Sequence, residues 1–194
     1  MNRMQSLFFR LFCFSLVGLF LLQAQVRAED APGPNIADIF ITTSQSHLLL
    51  FCAIKNGFTP EMIEGVQNGI PVTFSFDIEL DKSINFWLDS TLAKVTVLHT
   101  LTYDAVKQQY QITLPELGGK TVVTESLDKA KAAMAELKGI QVINRAALEP
   151  DAPYALHVHA TLAEKKLPLN MHNVVPFISL WDFETETQTL EFRY

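Results

Sequence analysis

The sequence contains one pair of side chains with metal-ligand spacing, His157 and His159. On a β-strand, residues i and i+2 point to the same side, so the two imidazoles are expected to lie side by side. A transition metal bound there needs a further ligand, for which His172, His47 and His99 are the candidates. Nothing in the sequence brings one of these close, and histidine is ordinary on a polar strand face. We therefore predict no metal site and no cofactor.

His99 differs from this pair because it falls on the apolar face of a predicted strand, between Val97 and Leu101. A buried imidazole needs hydrogen-bond partners, whereas a catalytic base needs a nucleophile within reach. The sequence has no Gly-x-Ser-x-Gly elbow or comparable nucleophile motif. We predict that His99 is a core histidine with satisfied hydrogen bonds, and that the chain has no catalytic residues and is not an enzyme.

Three carboxylates follow one another on the polar side of the clearest strand, at Asp77, Glu79 and Asp81. Paired carboxylates can perform acid–base chemistry. They are far more common as a solvated strand face, and these three lack the glycine-bearing loop of a calcium site. We predict that Asp77 and Glu79 face water.

The most unusual stretch is the 167–183 segment, in which Pro168 and Pro176 exclude a long helix. Ten of its seventeen residues are large and apolar: Leu167, Leu169, Met171, Val174, Val175, Phe177, Ile178, Leu180, Trp181 and Phe183. Such a segment either plugs the open end of a sandwich or forms an exposed surface for a protein or lipid partner. The candidate partner-binding residues are Phe177, Leu180, Trp181 and Phe183, with Trp181 as the anchor.

The elements that must position these side chains are mostly strands. Apolar residues at 72, 74, 76, 78 and 80 alternate with polar residues at 73, 75, 77 and 79, a period of two that predicts a half-buried strand of an antiparallel sheet. The same criteria predict strands over 36–42, 48–54, 95–103, 110–114, 122–123, 140–143, 154–162 and 190–194. The chain is therefore predicted to be mainly β, an antiparallel β-sandwich or curved sheet of eight to nine strands.

Two short helices complete the predicted fold. Thr59 is a suitable cap for the first helix, Pro60 suits its first position and Gly69 its exit. The second helix is predicted from about Ser126 to Lys138, with Gly139 as its terminator.

The first 28 residues have the three parts of a secretory signal peptide: Arg3 and Arg10, a twelve-residue apolar core, and Val26-Arg27-Ala28 before a cut at Glu29. Twelve helical residues span about 18 Å, which is shorter than the hydrocarbon core of a bilayer. We predict a signal peptide over 1–28, a flexible leader over 29–35 and a single β-rich domain over 36–194. The alternative is an uncleaved anchor in the inner membrane.

Charge and cysteine content restrict the partners of the chain. The full sequence carries a net charge of −6, and removal of the signal peptide would leave 12 basic and 21 acidic residues. An acidic domain repels phosphate backbones and anionic bilayers, so we predict neither nucleic-acid binding nor stable membrane insertion after cleavage. Cys52 would be the one remaining cysteine, and its apolar neighbours predict a buried hydrophobe rather than a reactive thiol.

The order of the segments resembles an uncharacterised bacterial family, the domain of unknown function 4390. The likeness is carried by residues 69–80, Trp87 with Asp89, 101–104, 109–114, 145–150, 167–169 and Trp181 with Asp182. This resemblance implies an exported protein of the proteobacterial envelope, often encoded near a membrane sensor kinase of the nitrogen-regulation type. The family has no established catalytic residues that could be assigned here.

We therefore expect a periplasmic, non-enzymatic binding or protein-interaction module, with an envelope or inner-membrane protein as its partner. The alternative is a periplasmic carrier of an apolar or lipid ligand, in which Phe74 and Phe76 line a cavity between sheet and helix. A filled core favours the first function and an open cavity of several hundred Å³ the second. The oligomeric state stays open.

Overall fold

The computed structural model describes residues 32–83, 90–163 and 183–194. Within these residues, nine strands form two antiparallel sheets accompanied by two α-helices, which confirms the predicted fold class. The elements are β1 (Asn35–Thr43), β2 (His47–Lys55), α1 (Pro60–Gln67), β3 (Val72–Lys82), β4 (Ser90–Asp104), β5 (Gln109–Leu114), β6 (Lys120–Thr124), α2 (Leu127–Ala135), β7 (Glu136–Asn144), β8 (Pro153–Leu162) and β9 (Gln188–Arg193). Short 3₁₀ turns over Pro115–Leu117 and Arg145–Ala147 follow β5 and β7.

The smaller sheet has the order β1-β2-β7, and the larger sheet has the order β6-β5-β4-β3-β8-β9. We call them the small sheet and the large sheet. The buried side chains of both sheets and both helices belong to one continuous hydrophobic core. Each sheet therefore has an inner face in this core and an outer face that is more polar, as expected for antiparallel sheets covered on one side.

The central strand β3 shows why the alternating pattern was informative. Phe74 and Phe76 are fully buried and Ile78 is 2% exposed, whereas Asp77 is exposed and Glu79 is half-buried. The register predicted for this strand is thus confirmed. The pairing of β3 with β4 on one side and β8 on the other then fixes which polar residues become neighbours.

Helix α1 begins as its sequence predicts. The hydroxyl oxygen of Thr59 accepts a hydrogen bond from the backbone N–H of Met62 at 3.2 Å, and Pro60 occupies the first turn. Gly69 follows the helix with a φ of 84°, a left-handed conformation that glycine adopts without strain.

Helix α2 ends earlier than predicted, at Ala135 rather than Lys138. Glu136 is extended (φ −109°, ψ 120°), and Leu137 pairs with Cys52 of β2 instead of continuing the apolar helix face. Gly139 has a φ of 69° but lies within β7, so it does not terminate the helix. The tertiary pairing with β2 overrides the helical spacing of the local sequence.

The predicted signal peptide and the first three residues of the predicted leader, 29–31, lie outside the described residues. In the ranges that the structure covers, no helix combines the length and apolar character needed to cross a bilayer.

Candidate functional site

The carboxylates and histidines considered separately in the sequence meet on the outer face of the large sheet. Antiparallel pairing of β3 and β8 places Asp77 opposite His159 and Glu79 opposite His157. Lys94, on β4, pairs with Glu79 from the other side. Together they border a cleft of about 380 Å³, which we call the histidine cleft, lined by Asp77, Ile78, Glu79, Lys94, Val95, Thr96, His157, His159 and Thr187.

Each histidine of this cleft already has its own polar partners. His157 Nδ1 lies 2.8 Å from the Thr189 hydroxyl, and its Nε2 lies 3.4 Å from Asp81 Oδ2. His159 Nε2 lies 3.3 Å from Glu184 Oε1. Across the three described ranges, no three His, Cys, Asp or Glu side chains are arranged to hold a metal ion.

Glu79 also has polar partners within the protein. Its Oε1 lies 2.9 Å from Lys94 Nζ and accepts a hydrogen bond from the Thr91 hydroxyl at 2.8 Å. These hydrogen bonds from Lys94 and Thr91 lower the pKa of Glu79, and its carboxylate in turn raises the pKa of Lys94. A general acid working near neutral pH needs a raised carboxyl pKa, so the shift at Glu79 is in the wrong direction for that role. The cleft is an ion-pair ladder that links neighbouring strands.

A second concave surface lies on the outer face of the small sheet. Phe40 of β1 is 54% exposed, and its ring stacks on cross-strand Phe51 of β2, with centroids 4.8 Å apart and planes within 2°. Gly139 has no side chain, and a Cβ there would lie 3.6 Å from the Phe51 ring. The surrounding groove, which we call the aromatic groove, has a volume of about 460 Å³ and is lined by Asp38, Phe40, Phe51, Cys52, Ala53, Ile54, Lys55, Ala132, Ala135, Glu136, Leu137 and Lys138.

Two ion pairs frame the aromatic groove. Lys55 Nζ lies 2.8 Å from Asp38 Oδ2, and Lys138 Nζ lies 2.7 Å from Glu136 Oε2. The hydrogen bond and charge of Asp38 raise the pKa of Lys55. Asp38 itself has a φ of 55° at an irregularity in the β1–β2 register, two residues before the exposed Phe40. The aromatic groove therefore has an apolar centre and a charged border.

Of the four residues predicted to bind a partner, Phe177, Leu180 and Trp181 lie outside the described residues. Phe183 is described and is 5% exposed, with its ring stacked on Phe74 at 4.4 Å and 4°. For Phe183 the expectation of an exposed surface is therefore wrong, because the ring completes the core instead.

The core is packed around Phe74 and Phe76, where the carrier hypothesis expects a cavity. The Phe74 ring lies against Phe58 at 5.1 Å as well as against Phe183, and the Phe76 ring lies 5.0 Å from that of His99. Both phenylalanines are fully buried and line neither of the two concave surfaces described above. The core between the layers is filled at these positions.

Two predictions about buried polar groups are confirmed. Cys52 is 3% exposed, and burial raises the pKa of its thiol to about 12. His99 is fully buried, with Nδ1 2.8 Å from the Met134 carbonyl oxygen and Nε2 3.0 Å from Glu116 Oε1. Its partners come from segments 17 and 35 residues away in sequence, so no local pattern could have identified them.

The aromatic groove was not predicted from the sequence. Phe40 and Phe51 both fall within predicted strands, but their adjacency depends on the register across an irregularity at Asp38. The one available signal was an aromatic residue on the less buried side of each strand, which a strand prediction treats as ordinary.

Residues 31–191 match the model of the family described as Domain of unknown function (DUF4390), and the chain belongs to this family. The resemblance noted from the sequence is thereby confirmed over most of the chain. No curated protein and no solved structure matches the chain. Family membership assigns no activity, so function must be argued from the site.

Proposed function

We propose that the chain is an exported, non-catalytic binding module of the bacterial envelope, and that it binds a protein partner at the aromatic groove. The observation that carries this proposal is the exposed Phe40 ring, stacked on Phe51 and framed by two ion pairs. A central aromatic patch with a charged rim has the composition of protein interfaces, in which a few large side chains contribute most of the affinity.

Charge favours a protein partner over an anionic lipid. Both lysines at the rim, Lys55 and Lys138, are already neutralised by carboxylates within 2.8 Å. A phosphate headgroup would have to displace Asp38 or Glu136 and approach a chain whose net charge is −6. An apolar side chain of a protein segment needs no such displacement, because it replaces water above Phe40 and leaves the ion pairs in place.

Export and the envelope location rest on the N-terminal pattern, with its basic start, short apolar core and Val26-Arg27-Ala28 site. Intact-mass measurement of the protein from its native host tests them, and we expect a mass that lacks residues 1–28. A mass that retains these residues would instead support the inner-membrane anchor. The partner we propose is an inner-membrane protein, and the family resemblance makes a sensor kinase the first partner to test.

A carrier of an apolar ligand is the second candidate. It is favoured by the size of the aromatic groove, about 460 Å³, which lies within the range of small-molecule sites. In this version the ligand would contact Phe40 and Phe51 rather than Phe74 and Phe76, which are buried.

Site-specific photocrosslinking in the native host tests both candidates. A benzophenone amino acid at Thr42, an exposed position two residues from Phe40 on the same strand, probes the groove while leaving both rings intact. The matched control is the same amino acid at Val106, which is 94% exposed in the turn between β4 and β5.

We expect a discrete protein adduct from position 42 that is absent from position 106 and is lost on Phe40→Ser. A lipid adduct at position 42 with the same Phe40 dependence would replace the interaction module with the carrier. Equal labelling from both positions, or an adduct unaffected by Phe40→Ser, would refute a binding role for the groove.

A further inference from the structure

The free edge of strand β1 runs beside the aromatic groove. Among the described elements β1 pairs with β2 alone, so no described strand covers its other edge. The turn between the two strands shows which pairs of their ladder are hydrogen-bonded, because the Ser44 N–H donates to the His47 carbonyl oxygen at 2.9 Å. Ser44 and His47 therefore form a hydrogen-bonded pair, whose backbone groups face each other.

This pair identifies the backbone groups that lie on the free edge. Hydrogen-bonded and non-hydrogen-bonded pairs alternate along an antiparallel ladder, and the register of β1 is regular from Thr43 back to Phe40. Counting back from Ser44, Thr42 and Phe40 direct their N–H and C=O groups at β2, whereas Thr43 and Ile41 direct theirs away from it. Within the described residues, the backbone groups of Thr43 and Ile41 have no hydrogen-bond partner. These two residues lie about 7 Å apart along the strand, a spacing that an extended main chain matches.

The side chains along this edge are apolar on both faces of the sheet. Ile39 and Ile41 are half-buried and pack against the margin of the core. Phe40 lies on the outer face, where it is 54% exposed. A strand placed beside β1 would cover all three, because its own side chains would alternate between the same two faces.

The other sheet edges of the described structure carry features that discourage pairing. β7 has two irregularities in its register with β2. β6 has five residues and begins with Lys120, and β9 bears Glu191 and Arg193. Charge, short length and register irregularities are the usual means by which proteins protect an edge. By contrast, residues 39–43 of β1 are Ile-Phe-Ile-Thr-Thr, without charge, proline or glycine.

We propose that the partner of the aromatic groove contributes an extended segment that pairs with residues 39–43 and becomes a fourth strand of the small sheet. This inference rests on the proposed function and specifies the class of partner, a protein that binds by β-strand addition. The main chain of the segment bonds with Ile41 and Thr43, and its alternate side chains cover Phe40 on the outer face and the isoleucines on the inner face. The segment is therefore apolar on both faces and uncharged over about five residues.

The backbone groups of this edge argue against other occupants. A lipid chain would cover Phe40 but has no donors or acceptors for Ile41 and Thr43. A second copy of the chain would supply its own β1, but two chains that each carry a net charge of −6 repel each other. A strand from a different protein meets neither obstacle.

Proline and alanine at Thr43 test the strand pairing in the native host. Thr43→Pro removes one N–H from the free edge, where proline is tolerated because no bond to β2 is lost. Thr43→Ala is the matched control, since it removes the same exposed side chain and keeps the N–H. Each substitution is combined with the benzophenone amino acid at position 42, and the yield of the protein adduct is measured.

We expect Thr43→Pro to lower the adduct yield about tenfold or more, because an acceptor of the partner is left buried and unpaired. Thr43→Ala should leave the yield within about twofold of that without a substitution at this position. Urea unfolding checks which backbone groups lie on the edge. Thr43→Pro should have a midpoint near that of Thr43→Ala, whereas Thr42→Pro, which loses a bond to β2, should have a lower one.

If Thr43→Pro does not fold, amide hydrogen exchange of the chain without that substitution decides. In the uncomplexed protein, the amides of Ile41 and Thr43 should exchange fast and those of Phe40 and Thr42 slowly. In the purified crosslinked complex, exchange at Ile41 and Thr43 should slow by about tenfold or more. The amide of Gln45, exposed in the adjoining turn, is the control and should stay fast.

Three results would overturn strand addition. A Phe40-dependent protein adduct whose yield is unaffected by Thr43→Pro, or a complex with unchanged exchange at Ile41 and Thr43, would do so and leave the proposed function standing. An adduct with twice the mass of the chain would assign the edge to a second copy. Absence of any Phe40-dependent protein adduct would refute the proposed function itself, so the two failures are distinguishable.

Discussion

Phe183→Ala and Phe40→Ala form a matched pair that tests where the aromatic surface of this protein lies. Both rings stack on another phenylalanine in nearly parallel geometry, with centroids 4.4 Å apart for Phe183 on Phe74 and 4.8 Å for Phe40 on Phe51. They differ in burial, since Phe183 is 5% exposed and Phe40 is 54% exposed. The comparison therefore isolates the contribution of burial to the free energy of unfolding.

The two expected losses differ severalfold. Truncation of a buried phenylalanine costs about 3–5 kcal/mol, because the lost transfer free energy is joined by the cost of a cavity. Full burial of such a side chain contributes about 1.5–3 kcal/mol, so the roughly half-buried Phe40 contributes about 1 kcal/mol. Truncation of Phe40 leaves no closed cavity, because its groove is already open to water.

Equilibrium unfolding in urea, followed by circular dichroism, measures the difference. With a slope of about 2 kcal/mol per molar urea, the midpoint should fall by about 1.5–2.5 M for Phe183→Ala and by about 0.5 M for Phe40→Ala. If Phe183→Ala proves too unstable to purify, Phe183→Leu keeps the test open with a smaller loss in the same order. A midpoint for Phe183→Ala at or above that of Phe40→Ala would refute the assignment of Phe183 to the core and return it to the candidate partner surface.

Three further predictions follow from the described residues. Phe76→Ala should unfold at a much lower urea concentration than Asp77→Ala. The first substitution removes a fully buried ring, whereas the second removes an exposed carboxylate whose loss costs about 0.5 kcal/mol. Equal unfolding midpoints would mean that the assigned register of β3 is wrong by one residue. The Cys52 thiol stays protonated to about pH 12 when folded but ionises near pH 8.5 when unfolded, so the folded state binds more protons above that value and its stability should fall as pH rises. Cys52→Ala should reduce this alkaline slope in urea titrations at several pH values, and an unchanged slope would contradict the assignment. Equilibrium dialysis should find no stoichiometric submicromolar zinc or copper, and tight binding abolished by His157→Ala would show that a metal site exists after all.

Much of the fold could be predicted because short stretches of sequence determine individual strands and helix ends. The alternation along β3 gave its register, and Thr59 and Pro60 gave the start of α1. The prediction failed at the end of α2, where Leu137 continues a helical apolar spacing but pairs with Cys52 in the small sheet. The spacing of apolar residues within one segment carries no information about a strand partner more than eighty residues away in the sequence.

The two candidate sites were less predictable than the fold. The histidines and carboxylates of the histidine cleft were identified as pairs within single strands, yet their meeting depends on which strand adjoins β3. The aromatic groove depends on both the pairing of β1 with β2 and the left-handed residue Asp38. Pairing between strands depends on residues that are far apart in the sequence. Hydrophobic periodicity predicts which face of a strand is buried, but not which strand lies beside it.

The aromatic groove is a better candidate binding site than the histidine cleft, because the polar side chains of the cleft are already paired. In the histidine cleft, Glu79, Lys94, His157 and His159 each have a polar partner within 3.4 Å, so a ligand must break existing bonds before it makes new ones. In the aromatic groove, 54% of Phe40 remains in water. Covering that ring recovers about 1 kcal/mol of hydrophobic free energy without disturbing any hydrogen bond, and neighbouring apolar surface adds to this amount. Binding is therefore favoured where the fold leaves apolar surface exposed rather than where it has already paired its charges.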